Sequence, residues 1–195
     1  MRALIEARIM IVGWKPNSSE FLRAMLSALG RPAFTRISNT DEALGLLREQ
    51  GFELVFCTDE CGPLPPAAFA RAVRRDQHSR HPTVPIVIIS KGGTVKEIDA
   101  LRAAGVDDIM RPPLSADAIE KRLHRVLLQP RSFVACKAFV GPERRRTPGR
   151  EFDGADSRAE DVRVYQLPPV VGTGKTITVI DTTTGPADDV FICDV

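Results

Sequence analysis

The chain has 195 residues and a mass of 21.4 kDa, the size of one full domain with an appendage or of two very small domains. Its 43% hydrophobic and 27% charged residues match the soluble globular average, and no apolar run approaches the roughly 18–20 residues that span a bilayer. Met1 to Arg8 has no apolar signal core, so membrane, secreted and collagen-like classes are disfavoured and the cytoplasm is the expected location.

The net charge of +2 conceals a segmental pattern: residues 1–130 carry +3, 131–150 carry +5 and 151–195 carry −6. A basic collar followed by an acidic tail suggests attraction between the two or a docking patch. The four cysteines, Cys57, Cys61, Cys136 and Cys193, are scattered and read as reduced thiols. Cys57, Cys61, His78 and His81 have a loose zinc-like spacing. Cys57, however, falls in an apolar strand pattern where a small buried hydrophobe suffices, and no metal is expected.

In chain order, Arg8–Gly13 (RIMIVG) is a short apolar run of the kind buried on both faces of a parallel sheet. A helix follows over about 17–29, with Ser18 or Ser19 as cap and Phe21, Leu22, Met25, Leu26 and Leu29 at helical spacing. Ala33–Ile37 is a second strand. Asn39 to Asp41 caps a helix whose stripe is Ala43, Leu44 and Leu47, ended by Gly51. Leu54–Thr58 is a third strand, followed by a Pro/Gly-bearing loop and a helix over about 67–76. Residues 84–90 are the clearest strand, and a helix over 95–104 closes at Gly105. Ile109–Met110 is a short fifth strand, and Ser115 caps a last helix to about Leu128 with Ile119, Leu123, Val126 and Leu127 facing inward.

Five strand–helix alternations in about 120 residues predict an α/β, doubly wound parallel sheet over residues 8–128. Ligands in such sheets sit beyond the carboxyl ends of the strands, which singles out Gly13–Trp14, Thr58–Asp59, Ser90–Lys91 and Arg111–Pro112. Residues 129–161 read as a basic collar and polar linker without amphipathic period. Residues 162–195 read as an acidic tail with strand-like stretches at 162–165, 176–180 and 190–193. The C-terminal extension is thus expected to be irregular and partly β.

Over 8–128 the sequence resembles the receiver domain of two-component response regulators. The resemblance is carried by Ile11 to Asn17, which stands where the family has a strand ending in two acids. It is carried also by Leu54 to Pro63, like the phospho-acceptor strand, and by Pro85 to Ser90, like the strand ending in a switch Thr/Ser. The fourth match is Ala104 to Pro112, like the family's Ala-Gly-Ala-Asp-Asp-aromatic…Lys-Pro. The resemblance implies a flavodoxin-like five-stranded fold, a bacterial signalling role and Mg²⁺-dependent phosphoryl transfer to an Asp. It also places Gly13 and Trp14 at the altered metal-site positions. Asp59 becomes the acceptor candidate when counted from Pro63, and Thr58 when counted from Glu53–Leu54. Ser90 and Arg111 become the switch and phosphate-contact candidates, and Ile109 replaces the switch aromatic.

Gly13 and Trp14 offer Mg²⁺ no carboxylate, and Mg²⁺ is a hard octahedral cation that needs oxygens. Trp14 would either fill the vacated pocket or anchor a partner, and Lys15 could reach Asp59. Three readings follow. The preferred one is a degenerate receiver that binds a histidine kinase, a phosphotransfer protein or another receiver, with no enzymatic activity and no cofactor. Its docking face would be that of the helices at 95–104 and 115–128, which could also form a homodimer. The alternative is a regulator still phosphorylated at Asp59 with Mg²⁺. The third is nucleic-acid binding through Arg144–Arg146, disfavoured by the acidic residues after them.

The collar motif Phe139-Val-Gly-Pro-Glu-Arg-Arg-Arg is similar to a Gly-Pro-Asp-Arg-Arg type found after some proteobacterial receivers. Phe139 and Val140 offer apolar anchors there, and Arg144, Arg145 and Arg146 a cation cluster for an acidic partner. Gly172 to Thr176 imitates a P-loop, but Pro169 replaces its first Gly and the following residues are strand-like, so nucleotide binding is not expected there.

Overall fold

The computed structural model describes residues 7–13, 33–79, 81–129, 131–136, 139–143, 163–167 and 178–182. The expected helix over 17–29, Trp14, Lys15, Arg144–Arg146, the stretch at 172–176 and the strand at 190–193 lie outside them.

Five parallel strands, β1 (Arg8–Val12), β2 (Ala33–Ile37), β3 (Leu54–Thr58), β4 (Ile86–Ile89) and β5 (Asp108–Met110), form one sheet in the order β2-β1-β3-β4-β5. Alternation along the strands divides the core. Met10, Val12, Val55, Cys57, Ile86 and Ile88 pack on one face against α1 (Thr40–Glu49), α2 (Pro66–Arg75) and α3 (Val95–Ala103). Ile9, Ile11, Leu54, Phe56, Val87 and Ile89 pack on the other against Ile119, Leu123, Val126 and Leu127 of α4 (Ala116–Leu128). The central strands are therefore apolar throughout, as strands covered on both sides must be.

The helices begin where their caps lie. The Asn39 side chain accepts from the Glu42 N–H and that of Ser115 from the Ala118 N–H, while Thr94 and Glu97 form a reciprocal capping box. Pro66 opens α2, where its missing N–H costs nothing. The helix over 95–103 closes at Gly105, whose φ of +84° suits glycine.

The C-terminal extension is partly β, as expected, and its strands begin within the basic collar. Residues 131–135 and 140–142 are strands β6 and β7. With β8 (Arg163–Leu167) and β9 (Thr178–Thr182) they form an antiparallel sheet in the order β7-β6-β8-β9. Strands of the basic collar and the acidic tail thus share one sheet. Phe133 and Ala135 are buried with Tyr165 and Leu167, while Val134 and Cys136 are buried on the opposite face. Burial of both faces removes the polar alternation by which a strand is usually recognised.

This sheet is seated against the turn at Gly105 and against α2. A Cβ added to Gly105 would lie 2.4 Å from the Val140 carbonyl oxygen, and one added to Gly141 would lie 2.5 Å from the Gly105 Cα. Beside this contact Arg74, only 2% exposed, holds its guanidinium 5.4 Å from the Phe133 ring centroid. Its Nε donates to the Gly105 carbonyl (3.0 Å), and Nη1 donates to those of Pro82 and Val84 (2.7 Å each). Nη2 donates to the Asp107 carboxylate at 2.7 Å.

Candidate functional site

The carboxyl ends of β1, β3 and β4 bring Gly13, Thr58, Asp59 and Ser90 to one crevice, as the sheet topology requires. Gly13 continues the β1–β2 ladder, its N–H donating to the Ile37 carbonyl at 3.0 Å, and takes a φ of +72°. Its own carbonyl accepts from Thr58 Oγ1 at 2.7 Å. Thr58, the last residue of β3, is half-buried and points its hydroxyl at this glycine, while Asp59 lies exposed in the turn that follows.

That turn folds back over Gly13. A Cβ placed on Gly13 would lie 2.2 Å from the Cys61 Cα, 2.7 Å from its Cβ and 2.7 Å from the Glu60 carbonyl oxygen. Two further bonds hold the turn there: Cys61 Sγ donates to the Leu64 carbonyl at 3.2 Å, and the Leu64 N–H donates to Thr40 Oγ1 at 3.1 Å. The space that a side chain at position 13 would need is filled by main chain.

Asp59 Oδ2 accepts the Lys91 N–H at 3.0 Å, tying β3's turn to the loop after β4. Lys91 Nζ lies 3.4 Å from Glu60 Oε1, but both side chains are at least half exposed, so this pair contributes little. Ser90 is 4% exposed. Its hydroxyl donates to the Gly92 carbonyl (3.0 Å) and accepts the Gly92 N–H (3.3 Å), closing its own loop.

Cys57 and Cys61 lie side by side and buried. The hydrogen bond between them raises the Cys57 thiol well above its usual range, and burial and the neighbouring charges push the same way. The same bond lowers Cys61, against the opposing effect of burial. His78 is exposed and His81 half-buried with its ring against Gly51. Among the described residues no three His, Cys, Asp or Glu side chains gather as a metal site.

Arg111 is exposed, makes no hydrogen bond or ion pair with a described residue, and lines a separate cavity between α3, β5 and α4 whose walls do not include Asp59. Phe139 and Val140 are half-buried within the chain itself, Phe139 against Val134 and Cys136, and Val140 against Phe133, Ala135, Tyr165 and Leu167. Sequence reasoning weighed Cys61 only as a metal ligand, whereas in the fold it closes the crevice, and it passed over Arg74, which contacts both Gly105 and Phe133. The signal for Arg74 was its place beside Val73 in the apolar stripe of α2.

No protein-family model and no curated protein matches the sequence. Solved structures do match the fold. The receiver domain of the sensor histidine kinase PA1611 from Pseudomonas aeruginosa, with a magnesium ion coordinated in its active-site cleft, is 20% identical. That match covers 62% of this chain and 96% of the receiver at a TM-score of 0.54. The chemotaxis response regulator CheY4 of Vibrio cholerae is 18% identical, covering 63% of this chain and 99% of its own, at 0.56. A DNA-binding response regulator of the LuxR family from Staphylococcus aureus is 12% identical, covering 62% and 98%, at 0.54. The parallel sheet and its helices are a receiver fold of the flavodoxin-like type, carried here with an additional antiparallel sheet. Among the described residues no helix is long and apolar enough to cross a membrane.

Proposed function

We propose that this chain is a degenerate receiver-like signalling module that binds protein partners and is not efficiently phosphorylated with Mg²⁺. The observation that supports it is Gly13 lying under the Cys61 main chain. Phosphoryl transfer to a carboxylate depends on neutralising charge on the moving group, and Mg²⁺ does this through carboxylate oxygens held around it. Position 13 has no such oxygen and no room for one. Thr58 presents a hydroxyl to the Gly13 carbonyl, and Asp59 lies beyond it in the turn with one oxygen on the Lys91 N–H. This donor set does not suit Mg²⁺, and no step is derived through the ion.

On this reading the chain is no enzyme and works by presenting a surface. The face of α3 and α4 is offered to a histidine kinase, a phosphotransfer protein, another receiver or a second copy. Arg144, Arg145 and Arg146 add a cation cluster that attracts acidic partners. The test is a calorimetric titration of the full chain with millimolar Mg²⁺. No Asp59-dependent heat is expected. Tight binding that Asp59→Ala abolishes overturns the reading in favour of a phospho-acceptor using Asp59 and Ser90.

A further inference from the structure

The cavity bounded by α3, β5 and α4 has a volume of about 820 Å³, and the β7 end of the second sheet completes its wall. It is separate from the crevice at Gly13 and Asp59. Four arginines line it from three places in the chain: Arg102 on α3, Arg111 after β5, and Arg122 and Arg125 on α4.

The charges there do not cancel. Arg122 Nη1 donates to both oxygens of Asp108, at 2.7 and 2.9 Å, and Arg125 Nη2 donates to the second of them. The Ile109 N–H takes up the first as well, at 2.9 Å, so this carboxylate is saturated and two guanidiniums share one negative charge. The buried Asp107 is balanced by Arg74, which comes from behind the wall. Among the described residues Arg102 pairs with Asp99 of its own helix, at 3.4 Å, with both side chains more than half exposed. Arg111 has no partner among the described residues. With Asp107 set against Arg74, four guanidiniums face Asp99, Asp108 and Glu143, leaving one positive charge in excess.

Guanidinium forks bind phosphate oxygens in pairs, and those of Arg111 and Arg102 are free or weakly held. Among these charged groups the wall also carries Ile98, Val106, Ile109 and Pro142. Most of the lining is charged, which suits a charged ligand, and the smaller apolar part lies beside those charges. We propose that this cavity binds a phosphate-bearing small molecule of nucleotide size, its phosphates on Arg111 and Arg102. The proposal is independent of whether Asp59 is phosphorylated.

The test is calorimetric titration of the full chain with pyrophosphate and, separately, with ATP, at low and at physiological salt. Arg111→Ala and the triple variant Arg144→Ser, Arg145→Ser, Arg146→Ser are titrated alongside. Arg111 is exposed and has no partner among the described residues, so its loss leaves the fold unchanged, and a thermal melt checks this. The expected result is saturable one-to-one binding that Arg111→Ala weakens at least tenfold and the triple variant changes less than threefold. ATP binding tighter than pyrophosphate assigns a nucleotide to the apolar part of the lining; equal affinities assign a non-nucleotide phosphate. Either pattern supports the site. Absence of binding by the wild type overturns the proposal. So does binding that survives Arg111→Ala within twofold, or binding lost only in the triple variant.

Discussion

Placing a carboxylate at position 13, the substitution that would rebuild a metal site in an open crevice, should damage this protein instead. Gly13→Asp and Gly13→Ala both put a Cβ where the Cys61 Cα lies 2.2 Å away, and both force an L side chain to a φ of +72°. The left-handed conformation costs roughly 1–2 kcal/mol for a residue with a Cβ. Overpacking against main chain that two hydrogen bonds hold in place adds about 1–3 kcal/mol. The combined loss of about 2–5 kcal/mol is a large part of the ~5–15 kcal/mol that keeps a domain folded. At a slope of about 2 kcal/mol per molar urea, the midpoint falls by about 1–2.5 M. Urea unfolding followed by circular dichroism reads this directly. Gly13→Ala separates the steric effect from the charge, since Asp and Ala should lose similar amounts. A Gly13→Asp protein with the wild-type midpoint and newly acquired Mg²⁺ binding would show that the turn at 59–62 yields freely, and the reasoning about a closed crevice would fail.

Three further outcomes follow from the same contacts. Arg74→Met should lower stability by about 3–5 kcal/mol in a thermal or urea melt, because it leaves the buried Asp107 carboxylate without its cation; a loss under 1 kcal/mol refutes a structural role for the pair. Truncation after Gln129 removes Phe133 and Val140 from Arg74 and Gly105, so the shortened chain should melt well below the full one, and equal melting temperatures would show the two sheets to be independent. Although burial raises it, Asp76 is held below the usual carboxylate range, because the Arg48 guanidinium at 2.7 Å and the His78 N–H outweigh that burial. A depressed folded-state value means stability present above the unfolded carboxylate range, near pH 4, and lost as pH falls through the folded one. Asp76→Asn should therefore be less stable than wild type at neutral pH and equal to it in strong acid, and a pH-independent difference would contradict this.

The parallel sheet was legible because local signals agreed with one another. Apolar runs at 8–13, 54–58 and 84–90 marked strands covered on both faces, and Asn39 and Ser115 marked helix starts that the structure reproduces. The second sheet was obscured at β6 and β7. β6 is buried on both faces and takes β8, far along the chain, as one partner, while β7 is only three residues long, so no local period announces them. The site was readable only in its parts. Ser90 and Thr58 fall at strand ends as the alternation requires, yet the closure of the crevice is a contact between Gly13 and Cys61, two residues that no spacing relates. Arg111 is brought to the cavity of α3, β5 and α4, because the chain leaving β5 carries it there and not towards Asp59. Phe139 and Val140 look like free anchors in the sequence; in the fold they also pack against β6 and β8.

The most direct test of the closed crevice is phosphorylation itself. The full chain, with Asp59→Ala and Thr58→Ala as controls, is incubated with acetyl phosphate and millimolar Mg²⁺ and followed by intact-protein mass spectrometry under conditions that label an active receiver to completion. The structure predicts no phosphorylated species above the level seen in the Asp59→Ala control. Rapid, Mg²⁺-dependent addition of one phosphoryl group that Asp59→Ala abolishes would contradict it.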